Sequence, residues 1–366
     1  MQRLSKNQLA SLRTLDDVEN LAVQYLSPAV YEYVAGGAGS DQTVLRNRTA
    51  FDRQAILPRV MVDVSRINTG LILFGRRHEF PILLAPTGYH KLIHPSGEMA
   101  TVEGANDSGA TLVAAAFSTV TYELMCSRSR GKMWFQLYVQ KDRGFTRDLI
   151  ARVMAAGCEA ICVTVDVPVN GPRDRELRAG FKLPAGMERA NLSSLGAEIS
   201  AGAHRPHGRH IYSATHAADV TWDDVEWLRN LIPVPLLLKG VMHPEDAAMA
   251  YNSGCDGIML SNHGGRSVDT TISTIEALPR MVDRLQSRIP VILDGGVRRG
   301  VDAFKALALG ATAVMIGRSY MYGLAVGGSD GVSRVVEILR TELEMTMGFA
   351  GCRNLDEVKK DRLDWF

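Results

Sequence analysis

From residue 81 onward the chain repeats one pattern: a short, continuous apolar run, a polar or Gly-rich turn, then a stretch with helical spacing of apolar positions. The runs are Pro81–Ala85, Thr111–Ala115, Met133–Tyr138, Ala160–Val165, Pro235–Leu238, Gly257–Leu260, Pro290–Leu293 and Ala311–Ile316. Strands buried on both faces read as continuous apolar runs, and strands alternating with helices imply parallel βαβ units. Eight such units predict an α/β fold, a (β/α)8 TIM barrel over residues 81–345. The alternative is a doubly wound open sheet, but no Gly-x-Gly-x-x-Gly turn follows the first run. Residues 1–80 read as a helical lead-in, 346–366 as a C-terminal tail, and the whole chain, 1–366, as a single domain. In the lead-in, Thr14 and Asp17 have the spacing of a helix cap, Gly36-Gly37-Ala38-Gly39 ends a helix over Pro28–Ala35, and Ser40-Asp41 caps a third.

One interval breaks the rhythm. Strands four and five are separated by roughly 166–234, and within that interval residues 185–220 are rich in Gly, Ala, Ser and His. A long connection leaving the C-terminal end of a barrel strand lies over the face where these barrels place their sites, so a mobile lid is expected there. His204, His207 and His210 recur within it at three-residue spacing. A metal site would need further ligands, and solvent-exposed loop histidines are the simpler reading.

Composition narrows the partners. The chain has 366 residues, a formal net charge of +1 and no long basic block, which argues against nucleic acid. No run of about 18 apolar residues occurs, so no membrane partner is expected. The first residues are polar, unlike a signal peptide, and the five cysteines are odd in number with no Cys-x-x-Cys pair. A reducing, cytoplasmic setting follows, with Cys158 and Cys162 read as core residues and no metal site.

Polar residues just past the strand ends converge on one face of a barrel. Here nearly every run ends in one: Thr87; Phe117-Ser118-Thr119; Gln136 and Tyr138; Thr164 and Asp166; Lys239; Ser261 and His263; Asp294-Gly295-Gly296; Gly317-Arg318. Caps and turns use the same residue types singly, but turn chemistry does not account for all eight at once. The last two groups, Asp294 to Gly300 and Gly317-Arg318, combine close-approaching glycines with arginines after strands seven and eight, the usual phosphate site of these barrels. After strand six, Ser261-Asn262-His263-Gly264-Gly265-Arg266 offers a histidine base and an arginine fork for a carboxylate. A structural histidine and a surface arginine are the plainer alternative for that pair in isolation. Lys239 closes an apolar strand, a costly place for a cation without an electron-rich partner. Both Schiff-base chemistry and stabilisation of negative charge on a cofactor are open to it.

These stretches resemble the FMN-dependent L-2-hydroxy acid oxidase and dehydrogenase family, which includes glycolate oxidase, lactate oxidase, mandelate dehydrogenase and 4-hydroxymandelate oxidase. The likeness runs from about residue 15 to 358. It is carried by Val30 to Ala38, Phe135-Gln136-Leu137-Tyr138, Thr164 to Pro168, Leu238 to Val241, Ser261 to Arg266 and Asp294 to Gly300. The resemblance implies FMN as cofactor and oxidation of a small-molecule 2-hydroxy acid to its 2-oxo acid, with oxygen or another acceptor taking the electrons. It also implies a homo-oligomer, commonly a tetramer. It makes His263 the base with Asp166 beside it, Arg173 and Arg266 the carboxylate grip with Tyr33, and Tyr138 the partner of the substrate oxygen. It sets Lys239 beside the flavin, with Pro86, Thr87, Gln136, Thr164 and Ser261 lining the ring and ribityl. Asp294, Gly295, Arg298, Gly317 and Arg318 fall at the ribityl and phosphate end.

Departures from the family pattern bear on the substrate. Phe117 stands where glycolate oxidase has tryptophan and 4-hydroxymandelate oxidase has phenylalanine, and Gly88 stands where many oxidases have alanine. Ala115 and Ala116 replace hydroxyl-bearing residues of some relatives. The smaller Phe117 and Gly88 imply a pocket roomier than glycolate needs, favouring mandelate-like acids, with lactate as the alternative. Tyr89-His90 and the Phe117 region lean towards oxidase over dehydrogenase. Two rivals stand against this: an FMN-dependent isomerase, which would not need Arg173, Arg266 and His263 together, and a degenerate barrel that only binds an anion.

Overall fold

A computed structural model describes residues 3–131, 133–195, 211–213 and 215–365. Eight parallel strands close into a barrel: β1 (Ile82–Leu84), β2 (Thr111–Ala115), β3 (Met133–Leu137), β4 (Ile161–Thr164), β5 (Leu236–Lys239), β6 (Gly257–Ser261), β7 (Val291–Asp294) and β8 (Ala313–Ile316). Each pairs with its successor, and β8 returns to β1, with Val314 opposite Ile82. Five fall within the predicted runs and three run one residue past them, to Lys239, Ser261 and Asp294, because each is buried on both faces. Leu83, Val113, Trp134, Cys162, Leu237, Met259, Ile292 and Met315 fill the barrel interior. Alternate residues such as Leu84, Leu112, Phe135, Val163, Leu238 and Leu293 face the surrounding helices. Cys162 is thus an interior core residue, and its neighbour Cys158 is buried with its thiol donating to the Ala160 carbonyl.

The N-terminal mouth of the barrel carries a feature that helical patterning did not foresee. An antiparallel hairpin, Leu71–Leu73 with Arg76–His78, turns through Phe74 (φ 51°) and Gly75 (φ 73°). It sends Leu73 and Phe74 into the interior cluster, where the Phe74 ring lies 5.6 Å from Trp134. The lead-in is also tied to the tail by pairing of Gln54–Ile56 with Leu363–Trp365.

The predicted helix signals resolve individually. Thr14 caps Leu15–Ala22 by accepting from the Asp17 amide, and Pro28–Ala35 ends at Gly36. Asp41 precedes Gln42–Thr49 in a left-handed conformation (φ 62°) and does not cap it through its side chain. Its carboxylate instead accepts from the Gly37 amide and pairs with Arg175, fastening the loop between two lead-in helices. Of the expected lid, residues 196–210, with His204, His207 and His210, lie outside the described residues. Its described start is docked: Ala190 donates to the Ser118 carbonyl, Asn191 accepts from Tyr122, and Asn191 and Leu192 are fully buried.

Candidate active site

The C-terminal ends of β5, β6 and β7 bring three predicted polar residues into one buried group. Ser261 and Asp294 are register partners, and Lys239 lies on the other side of β6. The Lys239 ammonium is 2.9 Å from Asp294 and donates to Ser261 Oγ at 3.0 Å, while Ser261 donates to Asp294 at 2.7 Å. Burial alone would favour neutral lysine, but Asp294 foremost and Asp166 next outweigh it and push the ammonium pKa up. The apolar strand therefore delivers a permanent, fixed positive charge to the barrel mouth.

Beyond β6 the chain turns sharply at His263, whose φ of 57° is left-handed and unfavourable for a side-chain-bearing residue. Surrounding bonds hold it there. The His263 amide donates to Ser261 Oγ at 3.1 Å, and the Gly265 amide donates to Asn262 Oδ1 at 3.2 Å. The Asn262 and Asn47 amides form a reciprocal buried pair, both bonds 2.8 Å, so the lead-in braces this loop. The ring is thereby aimed at Asp166, with Nδ1 to Oδ1 at 2.9 Å. Asp166 fits this position because a glycine follows β5: a Cβ on Gly240 would fall 2.4 Å from the Asp166 Cβ.

Electrostatics fixes the state of this pair. Burial lowers the His263 pKa, Asp166 opposes that shift, and Lys239 and Arg173 add to it, leaving the net value below that of an ordinary histidine. Asp166 is buried too, which alone would raise its pKa, but His263 and then Lys239 hold its carboxyl below the usual range. A neutral imidazole beside a carboxylate takes the tautomer with hydrogen on Nδ1, which leaves the Nε2 lone pair free to accept a proton.

Two arginines stand beside the histidine. Arg266 donates to the Tyr33 carbonyl (2.8 Å), the Gly36 carbonyl (2.6 Å) and Glu176 (3.0 Å). Arg173 lies 3.8 Å from the same Glu176 carboxylate. Burial first, and the neighbouring Arg266 charge second, push Arg173 down to about 9. Two cations sharing one carboxylate leave positive charge in excess, a setting that favours an incoming anion. Burial raises the Tyr33 hydroxyl to about 12, so it stays a donor at any ordinary pH. Tyr138 is likewise raised, by burial and then by Asp166, and stays protonated.

A third group forms an aromatic wall. The Phe117 ring is 5.0 Å from Tyr138 and 6.2 Å from Tyr89, and His216 stacks on Tyr138 at 5.1 Å. Gly88 packs directly under Phe117.

Among the residues expected to hold a cofactor, Gln136 and Thr164 are buried near the ends of β3 and β4, with Thr164 the register partner of Lys239. The Gln136 side-chain oxygen accepts from Ala116, while its buried Nε2 has no protein partner among the described residues. A buried donor without a protein partner, together with the fixed ammonium of Lys239, fits the polar edge of a flavin ring. Pro86 follows β1, and Thr87 bonds to His90 (2.7 Å) and to Tyr320. Gly295 and Gly296 run in left-handed conformations, and Gly296 approaches the Asn47 carbonyl so closely that a Cβ would sit 2.0 Å from it. Past β8, Gly317 opens the helix Arg318–Phe349, a natural anion end. Arg318 donates to the Val34 and Gly36 carbonyls and is pushed down to about 10 by burial, then by Arg266. The structure does not bring the Arg298 guanidinium into this group as bonded: it pairs with Glu19 at 2.5 Å and Asp16 at 3.0 Å on the first long lead-in helix.

The family model for FMN-dependent dehydrogenase matches residues 22–365. The chain belongs to that family. As an FMN-dependent dehydrogenase it is an oxidoreductase whose cofactor is FMN. Similar curated proteins include an L-lactate oxidase of Nostoc sp., 42% identical over 96% of this chain and 97% of that protein, and the glycolate oxidase of Spinacia oleracea, 38% identical over 97% and 96%. A crystal structure of mandelate oxidase with (S)-4-hydroxymandelic acid matches with a TM-score of 0.89 at 38% identity, covering 96% of this chain and 98% of that one.

For an FMN-dependent dehydrogenase, several site residues escaped the sequence reading. Asn47 braces the histidine turn, and Glu176 ties the two arginines. His216 and Arg189 complete the far wall. Asn47 and His216 lie far in sequence from what they touch and left no local signal. Arg173-x-x-Glu176 is an i, i+3 pair that charge spacing could have revealed. Among the described residues no helix is long and apolar enough to cross a membrane.

Proposed function

We propose that this FMN-dependent dehydrogenase oxidises L-2-hydroxy acids with a mandelate-like aromatic side chain to 2-oxo acids, with dioxygen reoxidising the cofactor. The observation that carries the reading is the bond between His263 Nδ1 and Asp166, within one cluster with Arg173, Arg266 and Tyr33. In this scheme Arg173, Arg266 and the Tyr33 hydroxyl bind the substrate carboxylate and so fix which hydrogen faces His263. His263 Nε2 takes the hydroxyl proton, and Asp166 stabilises the imidazolium that forms. Tyr138 donates to the substrate oxygen as it becomes a carbonyl.

Bound FMN supplies a two-electron acceptor. Gln136, Thr164, Ser261, Pro86 and Thr87 would hold its ring and ribityl, and Lys239 would offset negative charge on the reduced ring. Asp294, Gly295, Gly317 and Arg318 would hold the ribityl and phosphate end. Arg298 joins them only by exchanging Asp16 and Glu19 for phosphate.

Phe117 and Gly88 support an aromatic substrate, and likeness to an L-lactate oxidase supports lactate as the second reading. Five free cysteines favour a reducing compartment, the cytoplasm. A homotetramer, expected from the family resemblance, is checked by light scattering of the purified holoenzyme. The test of the reaction is the visible flavin spectrum under anaerobic conditions. Bleaching by (S)-mandelate supports the assignment, and fast return of colour in air supports an oxidase. A flavin that (S)-mandelate, (S)-lactate and glycolate all leave oxidised would overturn it.

A further inference from the structure

At the outer end of the aromatic wall stands a cation with no acidic partner among the described residues. Arg189 lies with its guanidinium carbon 4.0 Å from the Phe117 ring centroid, and its Nε donates to the Tyr89 hydroxyl. Among the described residues no carboxylate pairs with it, and no acceptor takes its two terminal nitrogens. It is not a wandering surface side chain. The next residues, Ala190, Asn191 and Leu192, are bonded to or buried against the loop that carries Phe117, so the backbone presents Arg189 to that ring.

The order of groups along the cleft gives this cation a direction. His263 and Tyr138 mark the reacting carbon, and Arg173 and Arg266 mark its carboxylate. Phe117 lies 5.0 Å from Tyr138, and the Arg189 guanidinium lies over the Phe117 ring, so the ring stands between the two. A substrate side chain leaving the reacting carbon along Phe117 therefore ends at the guanidinium fork, whose terminal nitrogens no described residue takes. The surroundings favour an anion there. His216 stacks on Tyr138 and is buried. Burial first and the positive charge of Arg189 second push it down to about 4, against a backbone hydrogen bond at Val167, so it is neutral and sets no charge against an anion.

We infer that Arg189 is a specificity-determining residue that selects 2-hydroxy acids whose side chain carries a second anionic group at its far end. The inference rests on the 2-hydroxy acid reading, and names the substrate class within it. A guanidinium stacked on an aromatic face keeps its edge donors for a carboxylate, so the same residue grips the anion and closes the wall.

The test compares para-substituted probes of nearly equal size on the holoenzyme. Dissociation constants of 4-carboxybenzoylformate and 4-methylbenzoylformate are read from perturbation of the flavin spectrum, which needs no turnover. Anaerobic flavin reduction by (S)-mandelate, (S)-4-carboxymandelate and (S)-4-methylmandelate is measured alongside. Native protein should bind and oxidise the 4-carboxy compound at least roughly tenfold better than the 4-methyl compound. In Arg189→Met the order should reverse, and in Arg189→Lys part of the preference should return. A native protein that prefers the 4-methyl probe overturns the inference without any variant, as does a 4-carboxy preference that survives Arg189→Met. If no hydroxy acid reduces the flavin, the reaction assignment falls, while the binding preference still decides the role of Arg189.

Discussion

A methyl group on Gly88 would lie 3.1 Å from the Phe117 Cβ and 3.2 Å from its carbonyl oxygen. The loops after β1 and β2 meet at this point, and the Tyr89 amide donates to that same carbonyl at 3.1 Å. Gly88→Ala should therefore displace Phe117 by a few tenths of an ångström. The expected result is a fall in kcat/KM for (S)-mandelate of about threefold to tenfold, larger than the fall for (S)-lactate. Equal losses on both acids would mean that Phe117 does not line the side-chain pocket.

Phe117→Trp tests the same wall from the other side. A larger ring should cut kcat/KM for (S)-mandelate by roughly tenfold or more relative to glycolate, because the pocket loses volume where only the larger substrate needs it. Steady-state rates with the two acids give the ratio directly.

His263→Asn should keep the flavin and lose its reduction. Removal of a positioned base typically costs about 10²- to 10⁴-fold. Stopped-flow bleaching measures the rate, and the bound flavin spectrum controls for folding. Near-native reduction would transfer the role of base to another residue.

Asp166→Asn makes a signed prediction in pH. Burial holds the His263 pKa low, and the Asp166 charge partly restores it. A neutral amide removes that restoring charge, so the pKa falls further. Because the working form is the unprotonated imidazole, the acid limb of kcat/KM should move to lower pH. The rate at neutral pH should also drop, since the imidazolium formed in the reaction loses its counter-charge. An acid limb that stays in place or moves upward would refute the pairing.

Lys239→Met leaves Asp294 buried without its cation, and orphaning one partner of a buried pair costs about 3–5 kcal/mol. Thermal unfolding should show the loss. The double variant Lys239→Met/Asp294→Asn should recover much of that stability, because no buried charge is left unpaired, yet should not recover flavin reduction. A double variant as unstable as the single one would show that the lysine acts through packing.

Much of this was legible along the chain because the barrel strands are buried twice over. Their runs are unbroken, and the residue ending each one stands out as a change in chemistry, as at Leu238-Lys239 and Leu260-Ser261. What was not legible depended on partners distant in sequence. The plug hairpin looks like ordinary lead-in until Phe74 is seen against Trp134. Asn47 is one polar residue among many until it is paired with Asn262. Asp41 reads as a helix cap by position, and only the approach of Arg175 shows where its carboxylate goes. Arg298 reads as an anion ligand by motif, and only the approach of the first lead-in helix shows it already paired with Asp16 and Glu19.

The helix Pro28–Ala35 ends in carbonyls that take the donors of two arginines from the two strands flanking β7, Arg266 from the loop after β6 and Arg318 from the turn after β8. Three segments thus share one fastening, although the helix lies more than two hundred residues from either arginine. Chimaeras between relatives that join a lead-in from one parent to a barrel from another would break this fastening wherever the parents hold those backbone carbonyls in different positions or lack either arginine. Recombination between members of the family should therefore be tolerated within the outer helices long before it is tolerated at the boundary near residue 80, which divides the sequence but not the catalytic machinery.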